Sequence, residues 1–154
     1  MSKIRKATHE DIDAIGKLWA ALVIEENPNA HPNIERWKDI QRQLFGLNNY
    51  YIYVAEENGE VIGFNNGLFL VDIETNEPYI DGGNFYVLPK YRKGLSGMRL
   101  HRNSFEVAKS LGAKFMRRKV SANNKRMMDR LTSHAGKSHF VKEYIVDEMV
   151  GGLS

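Results

Sequence analysis

Between residues 51 and 88 the sequence presents three strand-like stretches in succession, with no helical period between them. This run limits the fold more than any other feature. Tyr51-Ile52-Tyr53-Val54-Ala55 and Val61-Ile62-Gly63-Phe64 flank Glu57-Asn58-Gly59-Glu60. Asn-Gly between two apolar runs is a strong type I′ hairpin signal, because both residues tolerate positive φ. The second strand is expected to run on through Leu68-Phe69-Leu70-Val71, with Asn65-Asn66-Gly67 marking a bulge. After a turn over 72–78, residues 79–88 read as a third strand, loosened by Gly82-Gly83.

Helical patterns flank this block. A short strand over Ile4–Ala7 precedes Thr8, an N-cap residue followed by His9, Glu10 and Asp11, where negative charge suits the helix dipole. Ile12, Ile15, Leu18, Trp19 and Leu22 then recur at helical spacing and predict a helix over about 9–26. Asn27-Pro28-Asn29-Ala30-His31-Pro32 breaks it. Ile34, Trp37, Ile40 and Leu44 mark a second helix ending near Gly46. Past Pro89 come a basic, glycine-containing loop and a helix over about 96–111. Its stripe is Leu100, Ser104, Val107 and Leu111, widened by Phe105 and Ala108, with Gly112 as C-cap. A strand over 113–120, a helix over 124–134 and a strand region over 140–150 complete the chain. The order β-α-α-β-β-β-α-β-α-β implies an α+β fold. The expected architecture is a single domain over 1–154, with a mixed, mostly antiparallel sheet and helices on both faces.

Composition narrows the function. A chain of 154 residues, 42% of them hydrophobic, can hold a core without disulfides or metals. The complete lack of cysteine excludes thiolate metal sites, iron–sulfur clusters and any thioester-forming nucleophile. The five histidines, at 9, 31, 101, 134 and 139, show no metal spacing and suit surface or core-edge positions, so no metal is expected. No apolar run approaches the ~18–20 residues of a membrane span, and the N-terminus lacks the apolar core of a signal peptide. The expected setting is cytoplasmic, with no membrane partner.

Charge is unevenly spread. Residues 90–130 carry thirteen Lys and Arg against two acids (Glu106 and Asp129), a net of +11, whereas the rest has nine bases and seventeen acids, a net of −8. Such polarity in a small domain points to a polyanionic ligand, although a solvated helix face would also produce it. The phosphates of a cofactor and those of a nucleic acid are the two ligand readings. No nucleic-acid reader motif is present, and the aromatics do not interleave with the bases as a stacking platform requires, so no specific nucleic acid is expected.

The stretch that carries chemistry is Tyr86-Val87-Leu88-Pro89-Lys90-Tyr91-Arg92-Lys93-Gly94-Leu95-Ser96-Gly97-Met98-Arg99-Leu100. It reads as a strand, a tight loop with two glycines and two cations, and a helix start. Backbone N–H groups at a helix N-terminus attract anions, and glycine lets a phosphate approach the backbone closely. The pattern is neither a Walker A loop nor a GxGxxG fingerprint. A plain strand-to-helix turn would also produce it.

Over nearly its whole length the sequence resembles the Gcn5-related N-acetyltransferase (GNAT) superfamily. The resemblance lies in the opening Ile4-Arg5 … Ala7-Thr8, the helix with Asp11-Ile12-Asp13-Ala14-Ile15, and the hairpin Val54-Ala55-Glu56 … Gly59-Glu60-Val61-Ile62-Gly63-Phe64. It continues in Tyr86-Val87-x-Pro89-x-Tyr91-Arg92 and the loop after it. Where the family usually has glycine at the fourth and glycine or alanine at the sixth place of that loop, Arg92-Lys93-Gly94-Leu95-Ser96-Gly97 has glycine at the third and sixth. This is similar to a phage and prophage variant.

The resemblance implies acetyl-coenzyme A as co-substrate, lying where two strands splay apart. The backbone of Tyr86 and Val87 would pair with the pantetheine arm. Amides of residues 92–98 (Arg92, Lys93, Gly94, Leu95, Ser96, Gly97, Met98) would hold the pyrophosphate, and Asn124 would lie near the pantetheine. Asn123 and Asn124 serve equally as helix N-caps. The acceptor would be an amine on a small molecule or a protein, attacking the thioester directly. A carboxylate six residues before the strand end often acts as base, and that position is Asp81; a turn or strand-start residue is its other reading. The usual acid, a tyrosine about seven residues after the helix-opening Asn, is replaced by Leu131, so that the thiolate leaves without an acid or is reached by Tyr144 or Tyr86. Met127-Met128, Trp19 and Trp37 read as packing residues. The missing tyrosine keeps a second reading open, a GNAT-fold binding or virion-associated protein without catalysis. A homodimer is compatible with either.

Overall fold

The computed structural model describes residues 2–118. Five strands form one sheet in the order β1 (Lys3–Lys6), β2 (Tyr50–Glu57), β3 (Glu60–Val71), β4 (Pro78–Val87), β5 (Phe115–Arg118). The first four pair antiparallel and β5 joins β4 in parallel. The helices are α1 (Ile12–Glu26), α2 (Ile34–Leu44) and α3 (Ser96–Ser110). The α+β class, the mixed sheet and the element order hold through residue 118. The helix expected over 124–134 and the strand expected over 140–150 lie outside the described residues.

Local chemistry explains the elements. Asn58 and Gly59 both take positive φ, 51° and 80°, as a type I′ turn needs. The Asp11 carboxylate accepts the Thr8 N–H at 2.7 Å and two bonds from the Arg5 guanidinium, at 2.8 and 2.9 Å, where α1 begins. Arg5 also reaches Glu56 on β2 at 2.5 Å. Arg5 and its hydrogen bonds hold the Asp11 carboxyl below its ordinary 3.8. Asn33 caps α2 by accepting the Arg36 N–H at 3.0 Å, and Gly112, at φ +82°, ends the α3 turn.

The sheet separates two apolar layers. On one face Ile15, Leu18 and Trp37 pack onto Ile52, Val54, Phe64 and Tyr86, and Trp19 stacks on Trp37 at 5.4 Å. On the other, Ala108 of α3 packs with Tyr51 and Ile80, beside Val107 and Met116. Helices therefore lie on both faces. Fully burying a side chain such as Phe64 or Ile80 stabilises by roughly 1.5–3 kcal/mol. The stripe expected on α3 is narrower than its sequence suggested. Leu100, Ser104 and Ala108 are buried, whereas Phe105 and Leu111 are exposed and Phe105 packs edge-on to His101 instead.

The bulge expected at Asn65-Asn66-Gly67 sits on the neighbouring strand. Asn65 pairs with Phe85 and Gly67 with Gly82, so a two-residue step on β3 faces a three-residue step on β4. The extra residue falls in Gly83-Asn84, and β3 runs unbroken to Val71.

Candidate functional site

The bulge decides which side chains face together. Val87 pairs with Gly63 and packs toward Gly97 of α3, whereas Tyr86 pairs with Phe64 in the α1–α2 layer. Had residues 79–88 been a continuous strand, Asp81 would share the Val87 face. The extra residue reverses this. Asp81 lies opposite Leu68, on the α1–α2 face with Tyr86 and away from Val87. Its β5 neighbour is Arg117, whose guanidinium lies 4.7 Å over the Tyr79 ring and bonds Asp72 at 3.1 Å.

Strands β4 and β5 pair from Tyr79 and Phe115 to Gly82 and Arg118. Past Gly82, β4 continues for five residues, of which Phe85, Tyr86 and Val87 pair on the β3 side. Among the described residues, no strand pairs with that segment on its other edge. Among the described residues, β4 from Gly83 to Val87 therefore has a partner on the β3 side only.

Beyond β4, a 3-10 turn over Pro89–Tyr91 leads to α3. The Arg92 N–H already donates to Pro89 C=O at 3.2 Å and that of Gly94 to Tyr91 C=O at 3.3 Å. The amides of 92–98 are therefore not all available, as the sequence reading had assumed. The first bond at the start of α3 runs from Arg99 N–H to Leu95 C=O at 2.9 Å, and no side chain caps the helix. Ser96, Gly97 and Met98 precede that bond and present the orphan N–H groups of a helix start. Exposed Leu95 and Met98 flank them.

Among the described residues, nothing requires glycine at either loop position. A Cβ on Gly97 would meet only Val87 Cγ2 at 3.8 Å, and one on Gly94 only Tyr91 C=O at 3.7 Å. Both contacts are ordinary, and neither glycine has positive φ. The space is open, as a phosphate approaching the backbone would need. The residues present therefore fit a coenzyme A pyrophosphate at Ser96–Met98.

Charges near the loop are partly spent. The Arg92 guanidinium bonds both Glu25 oxygens, at 2.7 and 2.8 Å, and Val87 C=O at 2.7 Å, and lies 5.1 Å over the Tyr86 ring. Arg92 thus ties the end of α1 to the loop rather than offering its charge to a phosphate. Hydrogen bonding to Arg92 lowers the Glu25 carboxyl, and burial with the Glu25 charge raises the Tyr86 phenol. Arg99 bonds Ser2 C=O, and Arg118 reaches Ser104 Oγ at 2.7 Å. Arg92, Arg99, Arg117 and Arg118 of the basic segment are therefore engaged within the chain, and Lys93 is exposed at the loop. A concavity of about 270 Å³ beside the loop lies between Ser2, Lys90, Tyr91 and Arg99, without any β4 residue.

Asn124, Leu131 and Tyr144 lie outside the described residues. Among the described residues, no three His, Asp or Glu gather to hold a metal, and no helix is long and apolar enough to cross a membrane. Sequence reading missed Glu25 and Asn66. The Asn65-Asn66 pair inside an otherwise apolar strand was the available signal for the second; the first had none, because its partner is 67 residues away.

The chain belongs to the acetyltransferase (GNAT) family, whose pattern matches residues 17–136, and it is an N-acetyltransferase of that family. Solved structures share its fold. An aminoglycoside acetyltransferase from an uncultured soil metagenomic sample, in complex with sisomicin, superposes with a TM-score of 0.71 at 17% identity, covering 97% of this chain and 95% of its own. A GNAT family acetyltransferase from Staphylococcus aureus gives 0.73 at 18%, covering 97% and 100%. Aminoglycoside N-acetyltransferase AAC(6')-Iy in complex with CoA gives 0.75 at 16%, covering 97% and 95%. No functionally curated protein matches the sequence.

Proposed function

We infer that this acetyltransferase uses acetyl-coenzyme A as acyl donor and transfers the acetyl group directly to an amine. The observation that carries the reading is the open start of α3. Three amides that no described side chain caps stand beside two glycines that nothing among the described residues requires. Ser96, Gly97 and Met98 would bind the pyrophosphate, and the edge of β4 past Gly82 would pair with the pantetheine arm. When bound, acetyl-coenzyme A supplies an activated thioester carbonyl.

The amine would approach on the Asp81 face of β4, opposite the face that Val87 turns to α3. Attack of the neutral amine nitrogen on the thioester carbonyl carbon would break the C–S bond and expel a thiolate, which would take its proton from solvent. Asp81 would collect the ammonium proton through water, a role worth about 10²–10⁴-fold when well placed. An amine-bearing small molecule, of the kind named for the sisomicin-bound relative, is the acceptor class this reading favours.

The test is acetyl-coenzyme A turnover with a panel of primary amines, read as free thiol released and as a mass gain on the acceptor. Acceptor-dependent thiol release that falls in Asp81→Asn, most steeply at low pH, supports the reading. Undiminished turnover in Asp81→Asn at every pH removes Asp81. An absence of coenzyme A binding by the folded protein removes the cofactor.

A further inference from the structure

The β4 bulge is held by a side chain from the neighbouring strand. The Asn84 N–H donates to Asn66 Oδ1 at 2.5 Å, and Asn66 Nδ2 donates to Tyr50 Oη at 3.0 Å. Tyr50 Oη in turn donates to Oε1 of Gln41, which is buried on α2. The direction of this chain is forced. A backbone N–H can only donate, so the Asn66 oxygen must face Asn84 and its amino group must face Tyr50. Tyr50 then has its proton left for Gln41. Burial pushes the Tyr50 phenol up to about 12, which keeps it a donor. Space agrees with the hydrogen bonds, since a Cβ on Gly83 would lie 3.1 Å from Asn66 Cγ with Oδ1 nearer still. Glycine stands at 83 because the Asn66 amide occupies that place.

We propose that Asn66 is a positioning residue that sets the turn of β4 at Gly83-Asn84 and, through Tyr50, couples that turn to Gln41 on α2. The turn follows directly on Gly82, the last β4 residue paired with β5 among the described residues, and so lies on the stretch of β4 where the reading above would place the acyl donor. The catalytic part of this role rests on the acetyl-coenzyme A reading above; the structural part does not.

The experiment uses the full chain and the variants Asn66→Leu, Asn66→Asp and Tyr50→Phe. Amide hydrogen exchange at Asn84, followed by NMR without ligand, reads the structural part. Loss of the acceptor in Asn66→Leu should speed that exchange about tenfold, the usual worth of one such bond. Asn66→Asp keeps the acceptor and should restore protection, with the Gln41 amide rotating to donate to Tyr50. Turnover with acetyl-coenzyme A and an active amine reads the catalytic part. In Asn66→Leu, kcat should fall about tenfold while KM for acetyl-coenzyme A changes less than about threefold, and Asn66→Asp should recover kcat. Tyr50→Phe, which keeps nearly the same volume, should give an intermediate loss even if Asn66→Leu does not fold. Equal Asn84 exchange in wild type and Asn66→Leu overturns the proposal, as does an Asn66→Asp variant no better than Asn66→Leu. Wild-type protein that protects Asn84 yet neither binds nor turns over acetyl-coenzyme A overturns the catalytic role and the acetyltransferase reading together, and leaves the clamp standing.

Discussion

The glycines of the β3–β4 pair and those at the start of α3 look alike in sequence and differ in cause. Added Cβ atoms at Gly63, Gly67 and Gly83 would run into the molecule itself. The nearest carbons or carbonyls are Tyr86 C=O at 2.8 Å, Tyr51 Cζ at 2.6 Å and Asn66 Cγ at 3.1 Å. At Gly94 and Gly97 the same atoms would meet nothing closer than 3.7 Å. The first set is fixed by packing, and on the second the described residues place no structural demand. A residue kept small without an internal neighbour leaves room for an external one.

The sharpest break of this contrast is Gly97→Glu. A negative side chain at the phosphate position should weaken coenzyme A binding by about 100-fold or more, since opposed like charges cost several kcal/mol. The folded protein should melt at nearly the wild-type temperature, which calorimetry with and without ligand would show. Gly67→Ala should do the reverse. Its Cβ would crowd the Tyr51 ring and Ile80 Cγ2, the latter at 2.9 Å, so stability should fall by ~1–3 kcal/mol in urea unfolding. Coenzyme A affinity of the folded fraction should be unchanged.

Much of the β3–β4 region was legible in the sequence. Asn58-Gly59 announced the β2–β3 turn that leads into it, and the stretches read as strands to Val71 and over 79–88 form β3 and β4. The bulge was signalled by the right residues and assigned to the wrong strand. Asn65-Asn66-Gly67 is polar because Asn66 serves the extra residue on β4, and side-chain service across a sheet leaves no local period to read. For the same reason the facing of Asp81 was not readable: one inserted residue flips every position beyond it. The anion site at α3 was visible as a pattern of glycines and cations. That Arg92 belongs to Glu25 was not, because an ion pair between α1 and the loop leaves no trace in spacing.

Two smaller effects sharpen the comparison from the packed side. Asp11→Ala removes the acceptor of Thr8 N–H and of Arg5 where α1 begins, and should cost about 2 kcal/mol. Because the folded-state value of Asp11 is held below its ordinary 3.8, its contribution is fully present above about pH 4. It is lost as the pH falls further. Denaturant midpoints between pH 3 and 6 should therefore slope more steeply in wild type than in Asp11→Asn. Glu25→Gln should matter least. The pair with Arg92 is about half exposed on its Glu25 side, so its loss should cost less than about 1 kcal/mol, reduced further by salt. Coenzyme A binding should persist, as the amides rather than the Arg92 charge carry the site.

The most direct test is to add coenzyme A to isotope-labelled protein and follow backbone amide resonances by NMR. The account predicts the largest shifts at Ser96, Gly97 and Met98 and along β4 from Gly83 to Val87, with Gly59 and Gly112 unmoved. Shifts gathered elsewhere, or none at millimolar coenzyme A, would contradict it.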